Sequence, residues 1–175
     1  MSCFLVSHWS LLFPMEYIFE DFIAGFLENK FSSEWKVEYQ KSNMNLSSKP
    51  DAFQMQHDIF LTLKKDKTKR IIVDTKYKLR GGDFKEDKKK GISQADMYQM
   101  VSYALRRGCK DVILLYPNID EALNESDSFS VKSGFQEDVN ISIVAAEVPF
   151  WSIADFTNLS TNLYGALKEI LKNYE

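Results

Sequence analysis

Two strand-like segments joined by a short polar turn constrain this chain more than any other feature. They are "MQHDIFLTLKK" (55–65) and "KRIIVDTKYKL" (69–79), and the residues "KDKTK" run between their apolar centres. Each centre is short, rich in branched or aromatic side chains and bounded by charge, the pattern of a buried β-strand. Two such runs across so brief a turn predict an antiparallel hairpin. A turn centred near Asp66 sets Asp58 opposite Asp74. Cross-strand neighbours lie about 4.5–5.5 Å apart. Alternation of side chains puts Asp58, Asp74 and Lys76 on one face. Shifting the turn centre by one residue keeps the two acids close.

Two carboxylates so placed repel each other. Both are flanked by apolar residues, "HDIFL" and "IIVDTKY". Burying acids in such runs is costly unless they are paired or bind a metal. The arrangement suits a divalent ion with oxygen ligands, such as Mg²⁺. Lys76 would then orient a water or stabilise charge on a phosphate. The competing reading is an exposed sheet face with ordinary charges, since a D-x-K tripeptide recurs by chance. Asp51, in "KPDAF", is a weaker partner for Asp74. It lies about 23 Å before Asp58 along an extended chain at ~3.3 Å per residue, in loop-like sequence and with the wrong parity.

Around this hairpin the pattern predicts an α/β domain with a central mixed sheet of about five strands flanked by helices. A helical period runs from about residue 14 to 30, an alternating strand covers 34–40, and 41–53 has loop chemistry. "RGGDFKEDKKKG" reads as a basic loop. "SQADMYQMVSYALRRG" reads as a helix with Ser93 as N-cap, Asp96 at N3 and Gly108 at its end. Ser93 is therefore a cap and not a nucleophile. "DVILLYP" and "NISIVAAEVPF" are further strands, the polar stretch between them has room for one short strand, and the chain ends in an amphipathic helix. At 175 residues the expectation is a single domain over 1–175, with a lead-in at 1–14, a catalytic core at 15–116 and C-terminal strands and helix at 117–175. Trp35 and Trp151 read as core or boundary anchors.

The chain has two cysteines, Cys3 and Cys109, in no metal-binding spacing, which fits a reducing cytoplasm. The apolar N-terminus lacks a basic start and a cleavage site, so it reads as a buried lead-in and not a signal peptide. No run approaches the ~20 apolar residues of a membrane helix. Net charge is −3, yet most Lys and Arg fall between Lys64 and Lys110. Such a chain can present a basic face, although lysine-rich stretches are also ordinary solvated loops. Lys78, Arg80, Lys85 and Lys88 to Lys90 are candidates for salt-dependent phosphate contact.

The strings "IFEDFIAGFL", "HDIFL", "IIVDTKYK" and "ISQADMYQMVSYA", in this order over residues 18–104, resemble the PD-(D/E)xK nuclease superfamily. Within it they are most similar to the McrC nuclease-domain family of the McrBC modified-cytosine restriction systems. The resemblance implies a restriction-endonuclease-like fold with an α-β-β-β-α-β core. It also implies a Mg²⁺-dependent DNA endonuclease in which Mn²⁺ substitutes, and a McrB-like GTPase as partner besides DNA. By the same resemblance Asp58 and Asp74 are the metal-binding acids, the Thr75 carbonyl is a further ligand and Lys76 is the active-site lysine. Glu20 matches a helix glutamate that joins such sites, although Glu16 and Asp21 beside it show that it can equally be a solvated helix acid. Gln99 and Tyr103 match the Q-x-x-x-Y pattern of RecB-like members. They would support the site or touch DNA, as would Lys78 and Arg80. Gln94 and Tyr98 form a second such pair on the same helix.

Two departures stand out. His57 occupies the place of the proline in the superfamily's name-motif, and its parity points it away from Asp58, toward a structural role. McrC-type proteins also carry an N-terminal region that engages the GTPase, whereas this chain starts close to the nuclease part. It is expected to be a fragment, a shortened paralogue or one piece of a split system. Two alternatives share the same residues: a RecB-like exonuclease or repair nuclease, and a non-catalytic assembly remnant of a restriction complex.

Overall fold

The computed structural model describes residues 14–39, 44–80, 87–118, 126–132, 140–151 and 155–175. The hairpin forms around its turn. Asp66 Oδ1 accepts hydrogen bonds from the Thr68 amide (3.0 Å) and hydroxyl (2.7 Å), and the Lys69 amide closes onto the Asp66 carbonyl. The Thr68 hydroxyl holds the Asp66 carboxyl below its usual range. Strands β4 (Ile59–Leu63) and β5 (Arg70–Thr75) leave this turn antiparallel, with Ile59 opposite Val73 and Leu61 opposite Ile71. That register is the one expected from a turn at Asp66.

β4 and β5 belong to a six-stranded mixed sheet of order β1-β4-β5-β6-β8-β7. Its other members are β1 (Trp35–Tyr39), β6 (Asp111–Asn118), β7 (Asp127–Lys132) and β8 (Asn140–Pro149). β5, β6 and β8 run parallel at the centre, and the remaining neighbours pair antiparallel. Parallel strands covered on both faces need apolar side chains on both, which explains the unbroken "VILLY" of β6. Alternation divides the core in two. Ile59, Leu61, Ile71, Val73, Ile113 and Leu115 pack under helices α1 (Met15–Phe31) and α3 (Phe156–Lys172). Phe60, Ile72, Val112 and Leu114 face the other way and pack with Met100, Tyr103 and Ala104 of helix α2 (Gln94–Arg107).

The caps expected for α2 are present. Ser93 Oγ accepts from the Asp96 amide (3.1 Å), and Gly108 ends the helix at φ 61°, a left-handed conformation that a residue without Cβ adopts freely. Asp155 caps α3 by accepting from the Asn158 amide (2.7 Å).

One segment differs from expectation. Residues expected as loop form a separate hairpin of β2 (Met44–Ser48) and β3 (Asp51–Met55). Its residues are mostly exposed, with Leu46 and Phe53 open to solvent. No buried face imposes alternation on the sequence, so only turn-forming Ser, Asn and Pro remain to be read. β7 raises the main sheet to six strands; as a half-exposed edge it carries the same weak signal. Among the described residues no helix is long and apolar enough to cross a membrane.

Candidate active site

β5 carries its apolar alternation to Val73 and then changes character at the edge of the core. Asp74 follows Ile72 onto the α2 side and is only 1% exposed. Its Oδ2 is paired with Lys76 Nζ. Burial, reinforced by the neighbouring Asp58 charge and opposed by Lys76, pushes the Asp74 carboxyl up to about 7. Burial works against the Lys76 ammonium as well, but the Asp74 carboxylate outweighs it, so the lysine titrates above its usual range. The segment stays anchored beyond the strand, because the Lys76 amide donates to the Leu115 carbonyl of β6 (2.8 Å).

Asp58 stands one residue outside β4. The expected direct opposition to Asp74 is shifted: Asp58 Oδ2 accepts from the Thr75 amide and the Thr75 hydroxyl, both at 2.7 Å. The cause is the end of the ladder. The last β4–β5 pair is Ile59 with Val73, and an unpaired Thr75 N–H needs an acceptor. The Asp58 carboxylate supplies it, and it stays close enough to raise the Asp74 pKa. In an extended strand a residue's N–H and C=O point to the same side. The Thr75 carbonyl therefore lies on the Asp58 side of β5.

Helix α2 holds the other flank. Lys76 Nζ donates to Gln99 Oε1 (3.1 Å), Gln99 Nε2 donates to the Tyr103 hydroxyl (3.0 Å), and that hydroxyl donates to the Gln56 carbonyl (2.7 Å), two residues before Asp58. The chain of bonds ties Lys76 to the segment that carries Asp58. Gln94 and Tyr98, the second Q-x-x-x-Y pair, bond to each other on the exposed side of the helix. Lys78 pairs with Asp96 at 2.5 Å. Burial would raise the Asp96 carboxyl, but its bonds from Lys78 and Ser93 prevail and lower it. Arg80 turns inward. Its guanidinium donates to the Lys90 carbonyl (2.6 and 3.0 Å) and to Asp127 (2.5 Å), and it lies over the Tyr116 ring. It braces the chain beyond β5, a placement that does not present it to a phosphate backbone. Lys85 lies outside the described residues.

Glu20 is buried on α1 beside Asp21, whose carboxylate accepts from the Tyr39 hydroxyl. Burial first, then the bond to Asp21 and the charges of Glu20, Asp21 and Asp58, raise the Tyr39 pKa, and Tyr39 stands opposite Ile59, the residue after Asp58. Sequence reasoning missed Tyr39, because its alternation in β1 made it read as one more half-buried strand residue. His57 is buried with its ring against Phe60 and Tyr103, and desolvation followed by Arg107 lowers its pKa to about 4. Asp51 sits exposed in β3, paired with Ser48. Of the two tryptophans expected as anchors, Trp35 is fully buried, whereas Trp151 is 63% exposed. Trp151 follows the end of β8, where the sheet gives it no cover.

Comparison with known proteins agrees with this architecture. A chain from the refined half-complex of the tetradecameric assembly of Thermococcus gammatolerans McrB AAA+ hexamers with bound McrC superposes with a TM-score of 0.58 at 16% identity. The match covers 89% of this chain and 33% of that one, so the chain spans about a third of the length of its solved counterpart. At that identity the likeness carries the fold, which is restriction-endonuclease-like α/β. No curated protein matches the sequence significantly. The family model described as McrBC 5-methylcytosine restriction system component matches residues 6–117, more than half of the sequence. By that match, and in keeping with the fold, the chain belongs to the McrBC 5-methylcytosine restriction system component family.

Proposed function

We propose that this chain is the DNA-cleaving part of a McrBC-like, modification-dependent restriction system, working with a McrB-like GTPase. The observation that carries the proposal is the buried Asp74 carboxylate, paired with Lys76 just past the end of β5 and close to Asp58 just before β4. Burial first, and the neighbouring Asp58 charge second, raise the Asp74 carboxyl to about 7, and a divalent cation would favour its charged form and offset the repulsion between the two acids. The donors are hard oxygens: Asp58, Asp74 and the Thr75 carbonyl. Among the described residues no group of three or more His, Cys, Asp or Glu is arranged to hold a metal. Two carboxylates and a carbonyl suit Mg²⁺, which keeps several waters and accepts phosphate oxygens in the remaining positions.

When bound there, Mg²⁺ supplies Lewis acidity to the scissile phosphate and lowers the pKa of the attacking water. Lys76, whose pKa is raised, stays an ammonium at neutral pH. It therefore acts as a fixed positive charge toward the phosphoryl oxygens and not as a general base. Gln99 and Tyr103 orient that ammonium, and Thr75 orients the Asp58 carboxylate. Glu20, buried on α1, is the helix acid that would join the site and order water there.

The test is cleavage of closed circular methylated DNA by the chain together with a McrB-like partner, GTP and Mg²⁺. The parent should nick or linearise the circle and Lys76→Ala should not. Cleavage at the parental rate by a folded Lys76→Ala would exclude the assigned site. Digestion confined to linear DNA would point to an exonuclease.

A further inference from the structure

Asp58 and Asp74 stand close together but are served differently. Asp58 Oδ2 accepts from the Thr75 amide and hydroxyl, both neutral donors. Asp74 Oδ2 is ion-paired with the Lys76 ammonium. Lys78 is paired with Asp96 and Arg80 with Asp127, so among the ion pairs described Lys76 is the one cation on the acid pair. Lys76 has a second acceptor, Gln99 Oε1 at 3.1 Å. The two acceptors lie at different depths. Asp74 is buried, whereas Gln99 is exposed on α2. The ammonium therefore has an inner seat on a carboxylate and an outer seat on a neutral amide, and it touches both from one position.

The inner seat is also where the proposed metal would be held. Two cations on one carboxylate oxygen repel, most strongly where burial limits screening. The outer seat is preset, because Gln99 Nε2 donates to the Tyr103 hydroxyl (3.0 Å) and so leaves Oε1 turned toward Lys76. We infer that Lys76 is a displaceable counter-ion: Asp74 Oδ2 takes either the Lys76 ammonium or a divalent cation, and on exchange the ammonium moves out to Gln99. The inference rests on the metal-dependent nuclease reading and adds an order of events to it. Lys76 neutralises Asp74 first and gives its charge to the phosphate only in the loaded site.

Metal binding and lysine labelling test the exchange without cleavage. The probe is Mn²⁺ added to the full chain with no DNA present. Free Mn²⁺ is counted by electron paramagnetic resonance, and acetylation of Lys76 by an N-hydroxysuccinimide ester is followed by peptide mass mapping. Lys76→Met keeps the side-chain length and removes the competitor. It should bind Mn²⁺ about tenfold tighter than the parent, the scale on which groups around a metal's ligands change its affinity. In the parent, saturating Mn²⁺ should speed acetylation of Lys76 severalfold, while Lys78, which stays on Asp96, keeps its rate. Asp74→Asn should lose most of the Mn²⁺ binding. Unchanged acetylation of Lys76 in Mn²⁺ would overturn the inference, as would equal or weaker binding by a folded Lys76→Met. Tighter binding by Lys76→Met without the rise in labelling would mean that the lysine repels the metal from a fixed position, and would overturn the exchange as well. In each of these cases loss of binding in Asp74→Asn leaves the metal reading standing. Binding that Asp74→Asn leaves intact, or none by the parent, removes the metal reading and the inference together. The labelling uses the parent alone, so a Lys76→Met that does not fold leaves the exchange open to refutation.

Discussion

The two halves of the segment 71–76, β5 and the residue that follows it, are built to opposite specifications. Ile71, Ile72 and Val73 are buried among apolar partners on both faces of the sheet. Asp74, Thr75 and Lys76 continue the same strand direction with an acid that burial disfavours, a residue whose amide is served by a side chain, and a lysine drawn against the core. The first half holds the fold together and the second lowers its stability to keep charge in place. That contrast is expected where a rigid scaffold positions a reactive site, and it separates what each half should do when changed.

The largest effect belongs to the polar half and to activity. Asp74→Asn keeps the shape and removes the charge. In the partner-supported cleavage assay its rate should fall on the order of a thousandfold, the scale of losing one preorganised electrostatic group, with far-UV circular dichroism unchanged. A variant that retains a tenth of the parental rate would break the division. The apolar half answers through stability. Ile72 is completely buried, and Ile72→Ala should cost about 3–4 kcal/mol, read as a lowered urea midpoint. A loss under about 1 kcal/mol, the range of a merely conservative core change, would show that this half is not the structural one.

The third prediction uses Asp74→Asn again, now for stability. Burial raises the folded carboxyl to about 7, against 3.8 for an unperturbed aspartate. As pH rises through 3.8 the unfolded chain releases this proton while the folded chain keeps it, so folding is penalised progressively up to about 7 and fully above it. Asparagine removes the penalty. In chelator, Asp74→Asn should melt about 3–6 °C above the parent at pH 8, and the gain should vanish by pH 4. An equal or lower Tm at pH 8 would mean that the ion pair with Lys76 fully offsets the burial of Asp74.

What the sequence discloses follows the same contrast. The hairpin register is legible because apolar runs on both sides of a short turn leave one pairing that buries them. The helix caps at Ser93 and Gly108 are legible because their side-chain chemistry is local. The β2–β3 hairpin is not, since it buries too little to impose a period. Asp58 is legible as a neighbour of Asp74 but not as the acceptor for Thr75, because where a ladder stops depends on the whole sheet. Tyr39 and Trp151 are hidden for a related reason. Their roles depend on which elements cover them, and alternation or aromatic character alone does not tell a core anchor from a surface ring.

The smallest effect separates the two Q-x-x-x-Y pairs of α2 and shows whether the polar half of the segment 71–76 is held from that helix. Tyr103 donates to the Gln56 carbonyl and accepts from Gln99, which in turn holds Lys76. Tyr98 bonds only within its own exposed pair among the bonds described for its side chain. Tyr103→Phe removes one hydroxyl from a largely buried position and leaves the Gln56 carbonyl to find another donor, at a cost of about 1 kcal/mol. Because Tyr103 acts through Gln99, it is a positioning residue. Its loss should lower the cleavage rate about tenfold while leaving the apparent affinity for DNA nearly unchanged, since 1.36 kcal/mol of transition-state stabilisation corresponds to that factor. Tyr98→Phe should match the parent in both rate and Tm. Equal effects of the two substitutions would mean that the bonded path from α2 to Lys76 does not govern the lysine's position, and that the strand alone holds it.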